Sequence, residues 1–151
     1  MPAFTIDIEG IPIAQGSLVS NGIGRGLRHS NEPKLKPWRY AVVNAINAAR
    51  PQNWDPSLPL SVTATFRFAR PQAHYGTGRN SANLKPSAPT WHTVKSDLDK
   101  CLRAVFDSIE ASGLVRGDQQ ICSVNAAKRY CLEGEAPGVL LTLIALDPAQ
   151  G

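Results

Sequence analysis

The sequence lacks the features that mark membrane proteins and disulfide-rich or zinc-binding proteins. None of its apolar runs approaches the ~20 residues that a membrane-spanning helix needs. Its three cysteines are odd in number and have no C-x-x-C spacing, which favours reduced, buried thiols. Residues 1–10 contain two acids and no base, so a signal peptide is not expected. We therefore expect one soluble, cytoplasmic domain comprising residues 1–151.

Motifs of several enzyme classes are also absent. The chain contains no HExxH pair and no Walker motif, and Gly22–Gly26 lacks the Lys-Ser/Thr ending of a phosphate-binding loop. The histidines His29, His74 and His92 share no metal-ligand spacing. The acidic residues are therefore the main candidates for chemistry.

The charge balance favours a polyanionic partner. Sixteen basic residues against twelve acidic ones give a net charge of +4. The segment Arg25–Arg50 contains six of the basic residues and one acid, Glu32. This segment is either a nucleic-acid-binding surface or simply a solvated face.

Hydrophobic periodicity predicts an α+β fold. Period-2 alternation predicts strands at Phe4–Ile8, Leu60–Arg70, Ile121–Leu132 and Val139–Leu146, with a short strand at Leu18–Val19. Helical spacing predicts helices at Pro37–Arg50 and from Leu98 to Ile109, and residues 71–89 read as a long surface loop. The order ββαβαββ predicts a small mixed or antiparallel sheet packed with two helices in a single domain.

Two acids at the predicted entrance of the second helix allow two interpretations. Asp97 and Asp99 can cap the helix and favour its dipole, or they can hold a cation. Arg103 and Asp107 follow Asp99 at i+4 and i+8 and extend a charged ridge beside the apolar stripe. Asp118 lies in a later turn, and the sequence alone does not place it near Asp97.

Clustered aspartates beside basic residues suit phosphodiester hydrolysis. That reaction needs an activated water and a stabilised leaving oxygen, and Mg²⁺, which prefers carboxylate oxygens, supplies both. A basic side chain over the developing charge completes the minimal set. The acids and bases of this chain therefore favour a metal-dependent nuclease.

The segment from Lys95 to Ile121 resembles the signature of the RusA family of Holliday junction resolvases. The family pattern is D-x-D-N-L-x-K-A-x-x-D-A-L, a glycine turn, and then D-D-x-Q-[VI]; the segment reads KSDLDKCLRAVFDSIEASGLVRGDQQI. Gly10-Ile-Pro, Gln15-Gly-Ser17 and Lys36-Pro-Trp-Arg39 look more loosely like the N-terminal half of phage members. The resemblance implies a RusA-like endonuclease that cleaves four-way junctions as a homodimer in phage or prophage recombination.

Residue by residue, the resemblance implies a catalytic set. Asp97, Asp99 and Asp118 match the acids that bind Mg²⁺, with Mn²⁺ as an alternative metal, and Arg103 falls where the family has its catalytic lysine. Asp107 matches a helix acid whose role stays open. This sequence departs from the pattern at Arg103, at Lys100, which replaces the Asn after D-x-D, and at Gly117, which replaces the first acid of the D-D pair.

Basic residues and His92 are the candidate DNA contacts. They are Arg25, Arg28, Lys36, Arg39, Arg67, Arg70, Arg79, His92, Lys95 and Lys100. Apolar candidates for a dimer interface are Ile11, Leu60 and Leu140. The alternative functions are a catalytically weak or inactive protein that binds branched DNA, and a structural protein that does not bind DNA.

Overall fold

A mixed four-stranded sheet carries the fold of the computed structural model, which describes residues 2–149. In chain order the elements are β1 (Ala3–Glu9), β2 (Leu18–Ser20), β3 (Leu27–His29), α1 (Glu32–Ala49), β4 (Leu60–Phe68), α2 (Leu98–Ala111), β5 (Ile121–Tyr130) and β6 (Gly138–Ala145). The sheet order is β1-β6-β4-β5, and β2 pairs with β3 in a separate hairpin. Strand β6 is antiparallel to both neighbours, whereas β4 and β5 are parallel. The α+β class and the two helices predicted from the sequence are confirmed.

Side-chain alternation along the two central strands places the core on one face of the sheet. Val62, Ala64 and Phe66 of β4 are buried at every second position, as are Val139 and Leu141 of β6. Both helices contribute buried side chains to the same cluster. Fully burying one such aliphatic or aromatic side chain stabilises the fold by about 1.5–3 kcal/mol, so this face dominates the packing energy.

Helix α1 begins earlier than the sequence predicts. It starts at Glu32 with Pro33 in its first turn, and Pro37, the predicted starting residue, lies inside it. Leu35 is fully buried at helical spacing before Trp38. Burial of Leu35 stabilises a turn of helix on the N-terminal side of Pro37, although proline removes one backbone hydrogen bond there.

Helix α2 matches its predicted stripe closely. Cys101, Val105 and Ile109 are fully buried and follow one another at four-residue intervals. Because β4 and β5 are parallel, a crossover must connect them, and α2 is that crossover. The helix therefore packs on the sheet with its polar side, which carries Asp99 and Arg103, outward.

The β2–β3 hairpin and the segment between β4 and α2 form the irregular part of the molecule. Strand β3 was not predicted, and the glycines that turn the chain before it, Gly24 and Gly26, have φ of 72° and 76°, which favour glycine. The predicted loop 71–89 contains two short 3₁₀ helices, Gln72–His74 and Gly78–Asn80.

Leu60, one of the three apolar candidates for a dimer interface, is not at the surface. Leu60 is 1% exposed and belongs to the core, because it lies on the buried face of β4, whereas Ile11 and Leu140 are 69% and 41% exposed. Within residues 2–149, no helix combines the length and the apolar character required to cross a membrane.

Candidate active site

The aspartates at the entrance of α2 keep their carboxylates available. Asp97 occupies the N-cap position, yet its side chain makes no capping hydrogen bond. Its Oδ2 atom lies 3.8 Å from Nζ of Lys100, an exposed and long ion pair. Asp99 is also exposed. The capping interpretation of Asp97 therefore does not account for its side chain.

A lysine of the sheet, which sequence reasoning missed, anchors this entrance. Nζ of Lys128 on β5 donates hydrogen bonds to the carbonyl oxygens of Val94 at 2.7 Å and Ser96 at 2.6 Å. Hydrogen bonds from a charged donor are stronger than neutral ones. Lys128 thereby holds the chain segment that leads into Asp97.

Three aspartates and an arginine line one cavity on the outer side of α2. This carboxylate cavity has a volume of about 440 Å³ and is lined by Gln15, Asp99, Leu102, Arg103, Phe106, Asp107 and Asp118. Neither Asp99 nor Asp118 forms a side-chain hydrogen bond or ion pair with another residue of the range 2–149. The fold thus brings Asp118 to the same cavity as the helix acids, which the sequence could not establish.

Asp107 is tied into a hydrogen-bond network and differs from the other acids of the cavity. Its Oδ2 accepts hydrogen bonds from NH2 of Arg39 and from Nε2 of Gln15, both at 2.7 Å. Nε2 of Gln15 also lies 3.0 Å from Nε2 of His29, whose Nδ1 is 3.0 Å from the carbonyl oxygen of Gly16. Since a carbonyl can only accept, Nδ1 of a neutral His29 carries the proton and its Nε2 accepts from Gln15. Asp107 therefore connects α2 to α1 and to the hairpin.

Arg103 is free to reach a ligand in the carboxylate cavity. It is exposed and has no ion pair within 4.0 Å among the described residues, although Asp99 and Asp107 flank it on the helix. Asp107 instead takes Arg39 as its partner. An ion pair between Arg103 and either helix acid, which the four-residue spacing would allow, is thus not formed.

The turn that carries Asp118 is held by Gln120, the glutamine of the sequence signature. Its Oε1 accepts hydrogen bonds from the backbone N–H groups of Arg116 at 2.9 Å and Gly117 at 3.2 Å. Its Nε2 donates to the carbonyl oxygens of Pro56 at 2.8 Å and Leu58 at 3.1 Å. One side chain thus ties this turn to the segment before β4 and fixes the position of Asp118.

A second, positively charged cavity adjoins the carboxylate cavity. This lysine cavity has a volume of about 510 Å³, and its charged lining residues are Lys34, Lys95, Lys100 and Asp97. Gln15 lines both cavities. Asp97 therefore opens on the neighbouring cavity and not on the one shared by Asp99 and Asp118.

Two of the candidate DNA contacts are buried. Arg67 is 4% exposed and donates hydrogen bonds to Asp7 at 2.6 Å and to the carbonyl oxygen of Ala136 at 3.0 Å. His92 is 6% exposed and stacks on Phe68 at 4.0 Å between ring centroids. Burial, with a smaller effect of the nearby lysine on β5, lowers the pKa of His92. Arg67 and His92 therefore lie inside the fold and do not form part of the exposed basic surface expected from the sequence.

Two further arginines are engaged within the fold. Arg70 donates to the carbonyl oxygens of Cys131 at 2.8 Å and Pro89 at 2.7 Å and so ties down the 71–89 segment. Arg39 is only part-exposed and is paired with Asp107. The candidates that remain exposed are Arg25, Arg28, Lys36, Arg79, Lys95 and Lys100.

The cysteines are all free thiols, but only two are buried. Cys101 and Cys131 are buried, whereas Cys122 is exposed, which corrects the expectation that all three are buried. Burial raises the pKa of Cys101 to about 11 and also raises that of Cys131. The two buried thiols are therefore protonated near neutral pH.

The donor set of the carboxylate cavity suits a hard cation that shares its ligands with a substrate. Within residues 2–149, no three His, Cys, Asp or Glu side chains stand close enough together to enclose a metal ion. Mg²⁺, however, is usually held by one or two carboxylates and completes its shell with waters and substrate phosphate. The unpaired carboxylates of Asp99 and Asp118 offer such oxygens on an open cavity.

Comparison with known proteins agrees with this geometry. A family model described as "Endodeoxyribonuclease RusA" matches residues 12–143, most of the chain. A search of the curated proteins found no match. The matched range includes both cavities and every residue discussed above as a candidate for catalysis.

Proposed function

The chain belongs to the RusA family of endodeoxyribonucleases, and on that premise we propose that it resolves four-way (Holliday) junctions by symmetric, Mg²⁺-dependent nicking. The observation that carries the proposal is the carboxylate cavity, where Asp99, Asp118 and the unpaired Arg103 open on one space. The substrate is branched DNA in the cytoplasm of a bacterial or phage-infected cell.

Asp99 and Asp118, with Asp97 from the adjoining lysine cavity, would hold Mg²⁺, with Mn²⁺ as an alternative. These residues fit a metal ion because their carboxylate oxygens accept no side-chain hydrogen bond from any described residue. Bound metal supplies an activated water and stabilises the leaving oxygen. The three aspartates also repel DNA phosphates when no cation is present, so metal and substrate are expected to bind together.

Arg103 would stabilise the charge that develops on the scissile phosphate. Its guanidinium carries fixed N–H donors that match two phosphate oxygens. Asp107 does not compete for Arg103, because Arg39 and Gln15 already occupy its carboxylate. In this reading Asp107 positions α2 against α1 and makes no contact with DNA.

Exposed basic residues, of which Lys95 and Lys100 line the lysine cavity, would bind the DNA backbone. Arg25 and Arg28 lie on the β2–β3 hairpin, and Lys36, Arg79, Lys95 and Lys100 are exposed on other elements. Such contacts give affinity that falls with salt and carries no sequence information.

We propose that the active protein is a two-fold homodimer. Resolution needs two symmetric nicks, and the described part of each chain, residues 2–149, contributes one carboxylate cavity. A two-fold assembly matches the pseudo-symmetry of a four-way junction. Ile11 and Leu140 are exposed apolar candidates for the interface.

Aspartate-to-asparagine variants test the proposed catalytic role. Asp99→Asn and Asp118→Asn should abolish nicking of a synthetic four-way junction in Mg²⁺ and leave junction binding intact or tighter, because each removes a charge that repels DNA. Glu110→Gln is the matched control, since Glu110 is exposed on the same helix and lines neither cavity.

The same assay separates nuclease from binding protein. A wild-type protein that binds the junction equally well with EDTA but never nicks it is a catalytically inactive junction-binding protein. Full nicking by both aspartate variants contradicts the assignment of the catalytic site.

A further inference from the structure

The proposed function uses Lys95 and Lys100 only as general contacts to the DNA backbone and leaves the lysine cavity as a whole without a ligand, although the cavity is a structured part of the fold. Its three lysines come from three different segments: Lys34 from α1, Lys95 from the segment before α2, and Lys100 from the first turn of α2. The three ammonium groups that the tertiary structure brings together repel one another, and a bound anion would offset this repulsion.

The floor of the lysine cavity is held by backbone and side-chain hydrogen bonds. N–H of Gln15 donates to the carbonyl oxygen of Lys100 at 3.1 Å, and N–H of Gly16 donates to Oδ1 of Asn31 at 2.8 Å. Nδ2 of Asn31 donates in turn to the carbonyl oxygen of Ala14 at 2.6 Å. A Cβ atom at Gly16 would lie 2.3 Å from Oδ1 of Asn31, so a larger residue there would displace the Asn31 side chain from its hydrogen bond.

The charges of the two cavities are opposite. The lysine cavity has three lysines and one aspartate, whereas the carboxylate cavity has three aspartates and one arginine. Lys34 and Lys95 form no side-chain hydrogen bond or ion pair within residues 2–149, and Lys100 has only its long contact with Asp97. The two cavities meet at Gln15.

We propose that Lys34, Lys95 and Lys100 form a subsite for one backbone phosphate that neighbours the scissile phosphate on the same DNA strand. The proposal rests on the proposed nuclease function and assigns this subsite a role distinct from the metal-binding acids. A strand carries one phosphate per nucleotide, so a strand whose scissile phosphate lies at the carboxylate cavity continues past Gln15 with further phosphates. Ammonium groups act on a phosphate as point charges and need no fixed orientation.

The subsite would set which phosphate is cleaved. Holding the neighbouring phosphate fixes the register of the strand along α2, and correct placement of the reacting atoms accounts for much of an enzyme's rate. Loss of the subsite should therefore weaken junction binding. It should also slow nicking or spread it over neighbouring phosphates.

A charge-neutralisation cycle between protein and DNA tests the subsite. The protein variant is Lys34→Ala/Lys95→Ala, which removes exposed side chains without described partners and should leave thermal stability nearly unchanged. The DNA variants are four-way junctions that carry a single neutral methylphosphonate at each of the two phosphates on either side of the mapped cleavage position. Lys85→Ala is the control, because Lys85 is exposed and lines neither cavity.

We expect the double variant to lower the slope of log affinity against log salt by about 0.9 per bound protomer, the value for one lost phosphate contact. On the junction with a methylphosphonate at one of these positions, the salt slope of the wild-type protein should fall by the same amount. The salt slope of the double variant should not fall further on that junction. If every methylphosphonate weakens binding of the wild type and of the double variant equally, and the wild type still nicks the junction, the proposed subsite is refuted. A wild-type protein that neither binds nor nicks the junction instead removes the proposed function itself.

Discussion

Arg103 offers the sharpest separation between a catalytic and a structural role. Its side chain is exposed, has no ion pair within 4.0 Å among the described residues, and lines the cavity that holds Asp99 and Asp118. Arg103→Ala should therefore change the free energy of unfolding by no more than about 0.5 kcal/mol, as at other surface positions. Loss of one group that stabilises transition-state charge costs ~10²–10³ in rate, or about 2.7–4 kcal/mol.

The two magnitudes are measured in separate assays. Single-turnover nicking of a four-way junction in Mg²⁺ gives the rate, thermal unfolding gives the stability, and titration of the same junction gives the affinity. We expect the rate of Arg103→Ala to fall ~10²–10³-fold, with melting temperature and affinity changed far less. Arg103→Lys keeps the charge and should keep substantial activity, but it loses the two-pronged contact of a guanidinium.

Arg116→Ala is the matched control, because Arg116 is exposed and lies outside both cavities. A wild-type nicking rate for Arg103→Ala would refute the reasoning, and the catalytic cation would have to be sought at Lys95 or Lys100. A large drop in melting temperature would equally contradict the claim that Arg103 stabilises nothing in the free protein.

Three further outcomes are expected. Gly117→Asp should lower the Mg²⁺ concentration at half-maximal nicking, because it adds a carboxylate beside Asp118 at an extended φ of −159°, where the added Cβ meets the flexible side chain of Gln119; an unchanged midpoint contradicts this. The ion pair with Arg129 lowers the pKa of Glu135 from 4.5 to about 2, so its stabilisation is complete above pH 4.5 and is lost as the pH falls towards 2. The difference in melting temperature between wild type and Glu135→Gln should shrink over that interval, and a difference independent of pH refutes the assignment. Light scattering at micromolar concentration should give the mass of a dimer, and a monomer contradicts the proposed symmetric assembly.

The local sequence pattern was sufficient to predict the helices and strands in which apolar residues recur at the spacing of one buried face. The apolar stripe through Cys101, Val105 and Ile109 predicted α2, and alternation around Phe66 predicted β4, because periodicity reveals which face of an element is buried. The start of α1 was missed because two prolines suit a first turn, and only the burial of Leu35 decides between Pro33 and Pro37.

Charged residues show where periodicity stops being informative. Arg67 alternates with buried Phe66 and was therefore expected to face solvent. It pairs instead with Asp7, two strands away across Gly138 of β6, where the absent side chain leaves room for a guanidinium. His92 is buried for a comparable reason, since it stacks on Phe68 of a strand remote in sequence.

The sequence by itself determined the chemical character of the candidate site: two aspartates spaced at the entrance of a helix, a third after a glycine turn, and a basic residue one turn into the helix. Tertiary structure alone decided how they are grouped. It put Asp118 on the cavity of Asp99 and left Asp97 beside the lysines. It also brought Gln15, to which the sequence assigned no role in the site, to the border of the two cavities. The physical reason is that side-chain spacing is a property of one element, whereas a cavity is formed where several elements, distant along the chain, pack against one another.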